Sequence, residues 1–384
     1  MIRIFQTGDN HIGKKYDRYP VARQRLIQSR LDGIRRMVQE ANARECDFFV
    51  ITGDLFDNTY AIAKKDVKAV ADALTEFTGS VLLLPGNHDY YTGEEQVWKD
   101  FWQALALTDH NITFLNEFRE YHFDIRGEEV VVYPAFCQSK HSDKNNLGWL
   151  KEMQFLNNQT YRIGIAHGAI RGITPDMKNQ YFLMSEKELE NIPMDVWLIG
   201  HTHISYPGEI TEQMKSTKKK IFNAGTHEQT DLACNTEGCC FIMELEKNSE
   251  NGEMEIRVGK YLSGGVRFYD RDIKIPAGSH MDHILRDTLQ KEIETMDRNA
   301  ILRFTIRGAV TKEEYEDRQT IYQQLMEQFL DYEIVDEELS ELITEDMIKE
   351  EFPEMSFSAA FLTELLGDEK EVQMAYELLK ECEI

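Results

Sequence analysis

Histidine, aspartate and asparagine side chains recur in five short clusters, and each cluster directly follows an apolar segment typical of a buried strand. In chain order the clusters are Gly8-Asp9-Asn10-His11, Gly53-Asp54, Gly86-Asn87-His88-Asp89, His167-Gly168 and Gly200-His201-Thr202-His203. Imidazole nitrogen together with carboxylate and amide oxygen suits divalent ions of the manganese, iron or zinc type. Two such ions about 3.5–4 Å apart, sharing one carboxylate, can hold a phosphoryl group and generate a hydroxide nucleophile near neutral pH. The clusters therefore predict hydrolytic chemistry at phosphorus.

The segments between the clusters explain how residues so far apart in the chain could meet. Over the first 200 residues short apolar runs alternate with helical patterns, and this alternation indicates a layered α/β domain. The carboxyl ends of the strands line the ligand crevice in open sheets of this kind. We therefore expect the clustered side chains to gather at one sheet edge. Each cluster alone is more often a turn than a site, so the prediction depends on their joint occurrence at five strand ends.

The pattern changes after Gly264-Gly265. Short apolar strands then alternate with two helical stretches, and this predicts a small separate α/β unit. In chain order the expected elements are a strand at Ile273–Ile275, a helix at 280–296, a strand at 300–306, a helix at 312–330 and a strand at 332–335.

The last forty residues predict two acidic amphipathic helices, at about 357–366 and 368–382, separated by Gly367. Their apolar residues exceed what a short tail can bury on itself, and this predicts packing either on the preceding unit or on a partner protein. These residues are Phe357, Phe361, Leu365, Val372, Ala375, Leu378 and Leu379.

Length and composition narrow the class of protein. A chain of 384 residues favours two to three domains, and a hydrophobic content of 42% excludes collagen-like and wholly disordered chains. No apolar run approaches the roughly 18 residues of a membrane span and the start lacks a signal-peptide pattern, so we expect a cytoplasmic protein with no membrane partner. Six cysteines are too scattered for a disulfide scaffold, and Cys234, Cys239 and Cys240 lack the usual zinc-site spacing.

Taken alone, the net charge of −25 argues against nucleic acid as a binding partner, but this charge is unevenly distributed along the chain. Residues 311–384 hold 5 Lys and Arg against 23 Asp and Glu, so −18 of the total lies there. Residues 14–36, in contrast, hold eight basic residues against two acidic ones. The acidity belongs mostly to the tail, and the charge leaves a nucleic-acid partner open.

The motifs D-x-H, G-D, G-N-H-D, H and G-H-x-H, in this order over residues 1–230, make the sequence similar to the calcineurin-like metallophosphoesterases. Further features resemble the SbcD-type DNA repair nucleases: His11-Ile12-Gly13, the arginine-rich segment after it, and the run from Gly53 to Asp57. The resemblance implies a four-layer α/β/β/α core over 1–268, an α/β capping domain over 269–340 and a helical tail over 341–384 that docks on an SbcC-type ATPase.

The same resemblance implies a role for each clustered side chain. One metal ion would be held by Asp9, His11, Asp54 and His203, and the other by Asp54, Asn87, His167 and His201. Asp54 would bridge the two ions, and His88 would be an acid that orients the phosphate or protonates the leaving oxygen. Mn²⁺ is the expected ion.

Two departures from the family pattern stand out. Some relatives carry a second catalytic histidine where this chain has Asp57, and many have N-P-G-S where this chain has Asn223-Ala224-Gly225-Thr226. The first departure weakens a two-histidine mechanism, and the second is consistent with a turn variant. His227, four residues after Asn223, is the only other histidine whose position suggests an approach to the site.

Substrate contacts are expected in the residues that follow His11, where cations and aromatic rings could hold a nucleic-acid backbone and stack a base. These residues are Lys14, Lys15, Tyr16, Arg18 and Tyr19. The alternative is a solvated surface, and from about Arg23 onward a solvated amphipathic helix is the expected structure.

The preferred interpretation is a two-metal phosphodiesterase that cleaves DNA, in complex with an SbcC-type ATPase and as a homodimer. The first alternative is a phosphatase or phosphodiesterase acting on a small molecule or phosphoprotein. The second alternative is a metal-dependent binding module, which an incomplete ligand set would favour.

Overall fold

The computed structural model describes residues 1–155, 160–174, 178–234, 236–248, 253–276 and 283–382. The chain forms two compact units, Met1–Val266 and Arg267–Ile384. Among the described residues, no helix combines the length and apolar character that crossing a bilayer requires.

Strands β1 to β12 of the first unit form two sheets. In chain order they are β1 (Ile2–Thr7), β2 (Phe48–Ile51), β3 (Ser80–Leu83), β4 (Ile112–Phe114), β5 (Tyr121–Ile125), β6 (Glu128–Ala135), β7 (Tyr161–His167), β8 (Val196–Gly200), β9 (Lys215–Thr217), β10 (Ile221–Asn223), β11 (Cys239–Lys247) and β12 (Met254–Leu262). The order is β4-β3-β2-β1-β11-β12-β9 in the seven-stranded sheet and β10-β8-β7-β6-β5 in the five-stranded sheet. Strands β1 to β4 are parallel, as are β6, β7, β8 and β10, so their carboxyl ends share one edge in each sheet.

The two sheets pack on each other through a buried apolar core. Ile4, Phe48 and Leu82 of the seven-stranded sheet lie in the same cluster as Ile163 and Leu198 of the five-stranded sheet. Side chains on alternate strand positions point the other way and join a second core with the helices, as the two-residue period of a strand requires. The helices are α1 (Arg23–Ala43), α2 (Lys64–Thr75), α3 (Gln96–Leu105), α4 (Gly148–Lys151) and α5 (Glu186–Glu190).

The second unit is a three-stranded parallel sheet with helices. Its elements are β13 (Arg267–Lys274), α6 (Ile284–Ile293), β14 (Ala300–Val310), α7 (Lys312–Met326), β15 (Asp331–Glu341), α8 (Glu345–Glu351), α9 (Phe357–Leu365) and α10 (Glu369–Cys382). Alternate residues of β14 such as Leu302, Phe304 and Ile306 pack against apolar residues of α6 and α7.

The tail helices bury an apolar cluster of their own, which includes Ile348, Phe352, Leu362 and Val372. The tail therefore buries some of the apolar residues that were expected to exceed its own capacity, and it leaves others exposed. Phe357 and Phe361 remain 77% and 41% exposed, and their rings stack with centroids 5.5 Å apart.

The expected α/β fold is confirmed. The main differences concern short or edge elements. Strand β13 begins at Arg267 rather than at Ile273, because its charged residues conceal it, and α8 is additional to the elements expected in the second unit. The expected helix at 280–296 is α6, and its first residues, with His280, lie outside the described residues.

Candidate metal centre

Five strand ends bring the clustered side chains together. Strands β1, β2 and β3 are neighbours in one sheet, and β7 and β8 are neighbours in the other. Among the described residues, three groups form in which one potential ligand atom from each residue lies within 4.8 Å of the others. The first group is Asp9, His11 and His203, the second is Asp54, His167 and His201, and a third, beside the first, is His11, Asp57 and His88.

The first group is built around two facing imidazoles. The Nε2 atoms of His11 and His203 lie 3.0 Å apart. Oδ1 of Asp9 is 3.8 Å from His203 Nε2, and Oδ2 of Asp54 is 3.9 Å from His11 Nε2. Histidine and aspartate, two residue types that bind transition metals, thus converge on one small volume.

The second group lies on the other side of Asp54. Its Oδ2 is 3.3 Å from His167 Nε2, and Oδ1 of Asn87 is 2.9 Å from both His167 Nε2 and His201 Nδ1. Asp54 is the carboxylate that reaches both groups, as a bridging ligand must. The assignment of individual ligands remains a prediction, and this geometry agrees with it.

The donor set fits a pair of divalent ions. The carboxylates of Asp9 and Asp54 are buried close together. Buried carboxylates are costly unless a cation compensates their charge. Among the described residues, the three groups with converging donor atoms contain no cysteine, and Cys46, Cys137, Cys234, Cys239 and Cys240 are free thiols.

Backbone strain is concentrated at this site. Asp9, His11 and Asp54 have φ angles of 50°, 45° and 53°, in the left-handed region that non-glycine residues rarely adopt. Gly53 precedes Asp54 with φ of 100°, and a Cβ there would lie 2.2 Å from Nδ1 of His167. The glycine therefore allows the turn after β2 and the close approach of a ligand from the other sheet.

Burial lowers the pKa of three of the histidines. Desolvation lowers the pKa of His201 to about 3 and that of His203 to about 2, and it also lowers the pKa of His11. These imidazoles are neutral near pH 7, which is the form that binds a metal ion.

His167 and Asp54 form a buried charge pair. Burial alone would lower the pKa of His167 and raise that of Asp54, but their attraction raises the pKa of His167 to about 9 and lowers that of Asp54. The proton on His167 compensates the buried carboxylate. Metal binding here requires His167 to lose that proton, since only the neutral imidazole is a ligand.

His88 is held beside the first group, and its ring centroid lies 4.7 Å from that of His11. Its backbone N–H donates to Asp54 Oδ1 at 2.8 Å, and its Nδ1 donates to the carbonyl oxygen of Asp57 at 2.9 Å. Because Nδ1 carries that hydrogen, Nε2 is the ring atom that can exchange a proton with a substrate. Asp57 also places Oδ1 3.3 Å from His11 Nδ1, an arrangement that orients metal-binding imidazoles in other proteins.

The expected substrate contacts are only partly at the surface. Lys15 and Arg18 are exposed and Lys14 is half-buried, but Tyr16 and Tyr19 are buried. Neither tyrosine has a free ring face for a base in this structure, which corrects the stacking expected of them. The sequence could not reveal this, because an aromatic residue in a loop is compatible with either environment.

Arg30 and His227 are both buried near the site, and only the burial of Arg30 departs from the expectation. Arg30 on α1 is 2% exposed, which is contrary to the solvated helix face expected from Arg23 onward. His227 is fully buried and its Nδ1 lies 3.1 Å from Nδ2 of Asn10, between Asp9 and His11. A glycine at position 33, in the middle of α1, was the sequence signal of close packing against that helix.

The chemistry available here is defined by these side chains. Two divalent ions held by them would supply a hydroxide nucleophile near neutral pH and offset the charge of a phosphoryl group. Asp54 and Asn87 provide oxygen donors, the neutral imidazoles provide nitrogen donors, and His88 can hold a proton at Nε2 for a leaving oxygen.

Two known proteins are similar to parts of this chain. Over 183 residues the chain is 25% identical to an uncharacterized metallophosphoesterase, YhaO, of Bacillus subtilis (strain 168). The match covers 47% of this chain and only 42% of that relative, so the chain spans about two-fifths of the length of the curated protein it matches. The crystal structure of a dimetal phosphatase from Danio rerio aligns with 68% of this chain and 98% of its own, at a TM-score of 0.37 and 11% identity.

The family comparison extends over the strands that carry the candidate ligands. The sequence model of the calcineurin-like phosphoesterases matches residues 2–205, from β1 to just beyond His203. The match covers more than half of the chain and contains all three groups of converging side chains. The chain therefore belongs to the calcineurin-like phosphoesterase family.

Proposed function

We propose that this protein is a two-metal phosphodiesterase that cleaves DNA, as the nuclease subunit of an SbcCD-like repair complex. The observation that carries the choice of substrate is the cationic segment directly after His11. Lys15 and Arg18 are exposed there, with Lys14 half-buried beside them, in a chain whose overall charge is strongly negative. Cations at this place favour a polyanionic substrate, because they neutralise backbone phosphates next to the site of cleavage.

The anchoring of this segment supports the proposal. Tyr16 has φ of 34°, and its hydroxyl accepts a hydrogen bond from Nε of the buried Arg30. Tyr16 is thus a buried support under the segment, and Lys15 and Arg18 are the residues at the surface. The proposed contact with DNA is electrostatic, and base stacking by the tyrosines is not part of it.

The tail supports a protein partner. Phe357 and Phe361 form a stacked, exposed aromatic pair on α9, next to a helical cluster that already has a core of its own. Exposed aromatic residues of this kind are typical anchors of helix-in-groove recognition. We infer that residues 341–384 bind an SbcC-type ATPase through this pair, with their acidic surroundings facing a basic surface.

Mn²⁺ is proposed as the native ion because the donor set combines imidazole with carboxylate and amide oxygen. A homodimer is proposed as the assembly, on the family resemblance alone.

The decisive experiment compares two substrates in parallel. The purified chain is incubated with Mn²⁺ and labelled single- and double-stranded DNA, and separately with bis(p-nitrophenyl) phosphate, with and without the ATPase. Cleavage of both substrates supports the proposal. Hydrolysis of the dye substrate without any DNA cleavage, even with the ATPase present, would favour a phosphatase or phosphodiesterase acting on a small molecule or phosphoprotein.

A double variant, Lys15→Ala with Arg18→Ala, tests the cationic segment. Affinity for DNA should fall, and the slope of its logarithm against log salt should become shallower by about two units, because two phosphate contacts are removed. Hydrolysis of the dye substrate should not change. Lys219 is an exposed lysine before the amino end of β10, and Lys219→Ala is the matched control. It should leave DNA affinity and dye hydrolysis unchanged.

A further inference from the structure

The segment from Asp9 to His11 has a strained backbone and carries two candidate ligands. Both residues have positive φ angles, which costs about 1–2 kcal/mol for each non-glycine residue. Hydrogen bonds from elsewhere must therefore hold the segment in place. The amide of Asp9 donates to the carbonyl of Gly53 at 3.0 Å, and the amide of His11 donates to the carbonyl of Asp54 at 2.9 Å. These bonds hold the side of the segment that faces β2.

Arg30 holds the same segment from helix α1. Its Nη1 donates to the carbonyl oxygen of Asn10, its Nε to the hydroxyl of Tyr16, and its Nη2 to the carbonyls of Glu228 at 3.2 Å and Gln229 at 3.4 Å. These acceptors are three carbonyl oxygens and a phenol. An arginine that is 2% exposed and bound to neutral groups is costly to bury. Its hydrogen bonds to the carbonyl oxygens of Asn10 and of the loop at Glu228 offset this cost.

His227 links the same segment to helix α1 by hydrogen bonds. Nδ2 of Asn10 donates to His227 Nδ1 at 3.1 Å, and His227 Nε2 donates to the backbone carbonyl of Arg30 at 3.1 Å. These partners are compatible with a single neutral tautomer, protonated at Nε2. Asn10, His227 and the backbone of α1 therefore form one continuous chain of hydrogen bonds.

The packing of α1 accommodates this ring. Gly33 lies inside the helix, where glycine is unfavourable, and a Cβ there would lie 2.7 Å from Cδ2 of His227. The side chain of His227 thus occupies space that an ordinary helical residue would fill. Glycine at position 33 is therefore what allows the ring of His227 to pack against α1.

We propose that Arg30 and His227 are positioning residues for the metal centre: they fix Asn10, and thereby the orientation of Asp9 and His11 toward His203. Neither residue is a ligand. Loss of either residue should lower the affinity for the ion held by Asp9, His11 and His203. The affinity for the ion held by Asn87, His167 and His201 should fall less. The proposal rests on the ligand assignment of the proposed function but not on DNA as the substrate.

The test measures metal affinity rather than turnover alone. Mn²⁺ is titrated into metal-free wild-type protein and into metal-free His227→Leu protein. This substitution removes both hydrogen bonds and fills the space with an apolar side chain of similar size. We expect one of the two ions to bind about 10–100-fold more weakly, the usual effect of losing an outer-sphere partner. His227→Gln retains an acceptor and a donor, so it should recover part of the lost affinity.

Arg30→Met, with Arg36→Met as its control, tests the arginine. Arg36 lies on the same helix and donates to Glu228 and to the carbonyl of Ser263, but it does not bind Asn10. Of these two variants, only Arg30→Met should lose Mn²⁺ affinity at one site. Its hydrolysis of bis(p-nitrophenyl) phosphate should recover at high Mn²⁺ concentration. Wild-type affinity for both ions in folded His227→Leu and Arg30→Met proteins would overturn the proposal. An equal loss at both sites, with His227→Gln no better than His227→Leu, would also overturn it.

Discussion

Nε2 of His11 and Nε2 of His203 lie 3.0 Å apart, although the two residues are 192 positions apart in the chain. Two imidazoles that bind one ion at about 2.0–2.1 Å have nitrogen atoms about 3.0–3.4 Å apart. Without an ion, one ring donates its Nε2–H to the other at this distance. The same distance suits a shared cation that takes the place of that hydrogen, and it is reached because β1 and β8 end at the same edge of the two-sheet core.

Asp54→Asn should remove both ions. Asp54 is the carboxylate that reaches both donor groups, and an amide has less charge to offer each of them. We expect metal analysis to show loss of bound metal at both sites, with turnover of a phosphodiester dye falling to background. Asp72→Asn, an exposed aspartate on α2, is the control. An Asp54→Asn protein that retains two ions and normal turnover would show that the ligand assignment is wrong.

His88→Gln should lower turnover by about 10²–10⁴-fold, the usual contribution of a general acid or base. Its metal content should stay close to that of the wild type, because His88 is assigned to proton transfer. Metal analysis and dye hydrolysis are measured on the same preparation, with the exposed His122→Gln as the control. Loss of metal from His88→Gln would instead identify His88 as a ligand.

Gly33→Ala should destabilise the protein, although the same change stabilises most helices. The new methyl group would meet His227 Cδ2 at 2.7 Å, and such overpacking costs about 1–3 kcal/mol, more than the gain in helix propensity. Denaturant unfolding of the metal-free protein measures the change. Gly148→Ala in α4 is the comparison, since a Cβ there meets nothing within 4 Å. A Gly33→Ala protein as stable as Gly148→Ala would contradict the packing described for His227.

Phe357→Ser with Phe361→Ser should weaken binding of an SbcC-type ATPase by about 10²–10³-fold, because each aromatic anchor of an interface contributes about 2 kcal/mol. Both rings are already exposed, so folding and dye hydrolysis should not change. Met355→Ser, at a residue that is 99% exposed, is the control for a general loss of surface hydrophobicity. Co-purification of the double variant with the ATPase at wild-type yield would exclude this pair as the docking site.

The gathering of the five clusters could be predicted from the sequence because a simple geometric rule governs it. Strands β1, β2 and β3 are parallel neighbours, so the residues that follow them must meet at one edge. The same rule places His167 and His201 together after β7 and β8. Apolar runs of this length define strands well, and their order along the chain limits the possible arrangements.

The environment of Arg30 could not be predicted in this way. Its position on α1 has the charge pattern of a solvated face, and its burial depends on the carbonyl of Asn10 and the loop around Glu228, which are distant in sequence. Tyr16 is buried for the same reason, since it packs on Arg30. Local patterns report which face of a helix is polar, but they do not report which polar group tertiary structure covers.

Both donor groups draw on the two sheets of the first unit. Asp9, His11 and Asp54 follow strands of the seven-stranded sheet, whereas His167 ends β7 and the two other histidines follow β8, both in the five-stranded sheet. Each bound ion would therefore act as a cross-link between the layers. Because the unfolded chain cannot hold ions in this arrangement, the unfolding free energy of the unit becomes linked to metal concentration. Metal starvation would then shorten the lifetime of the protein in the presence of proteases as well as stop its chemistry.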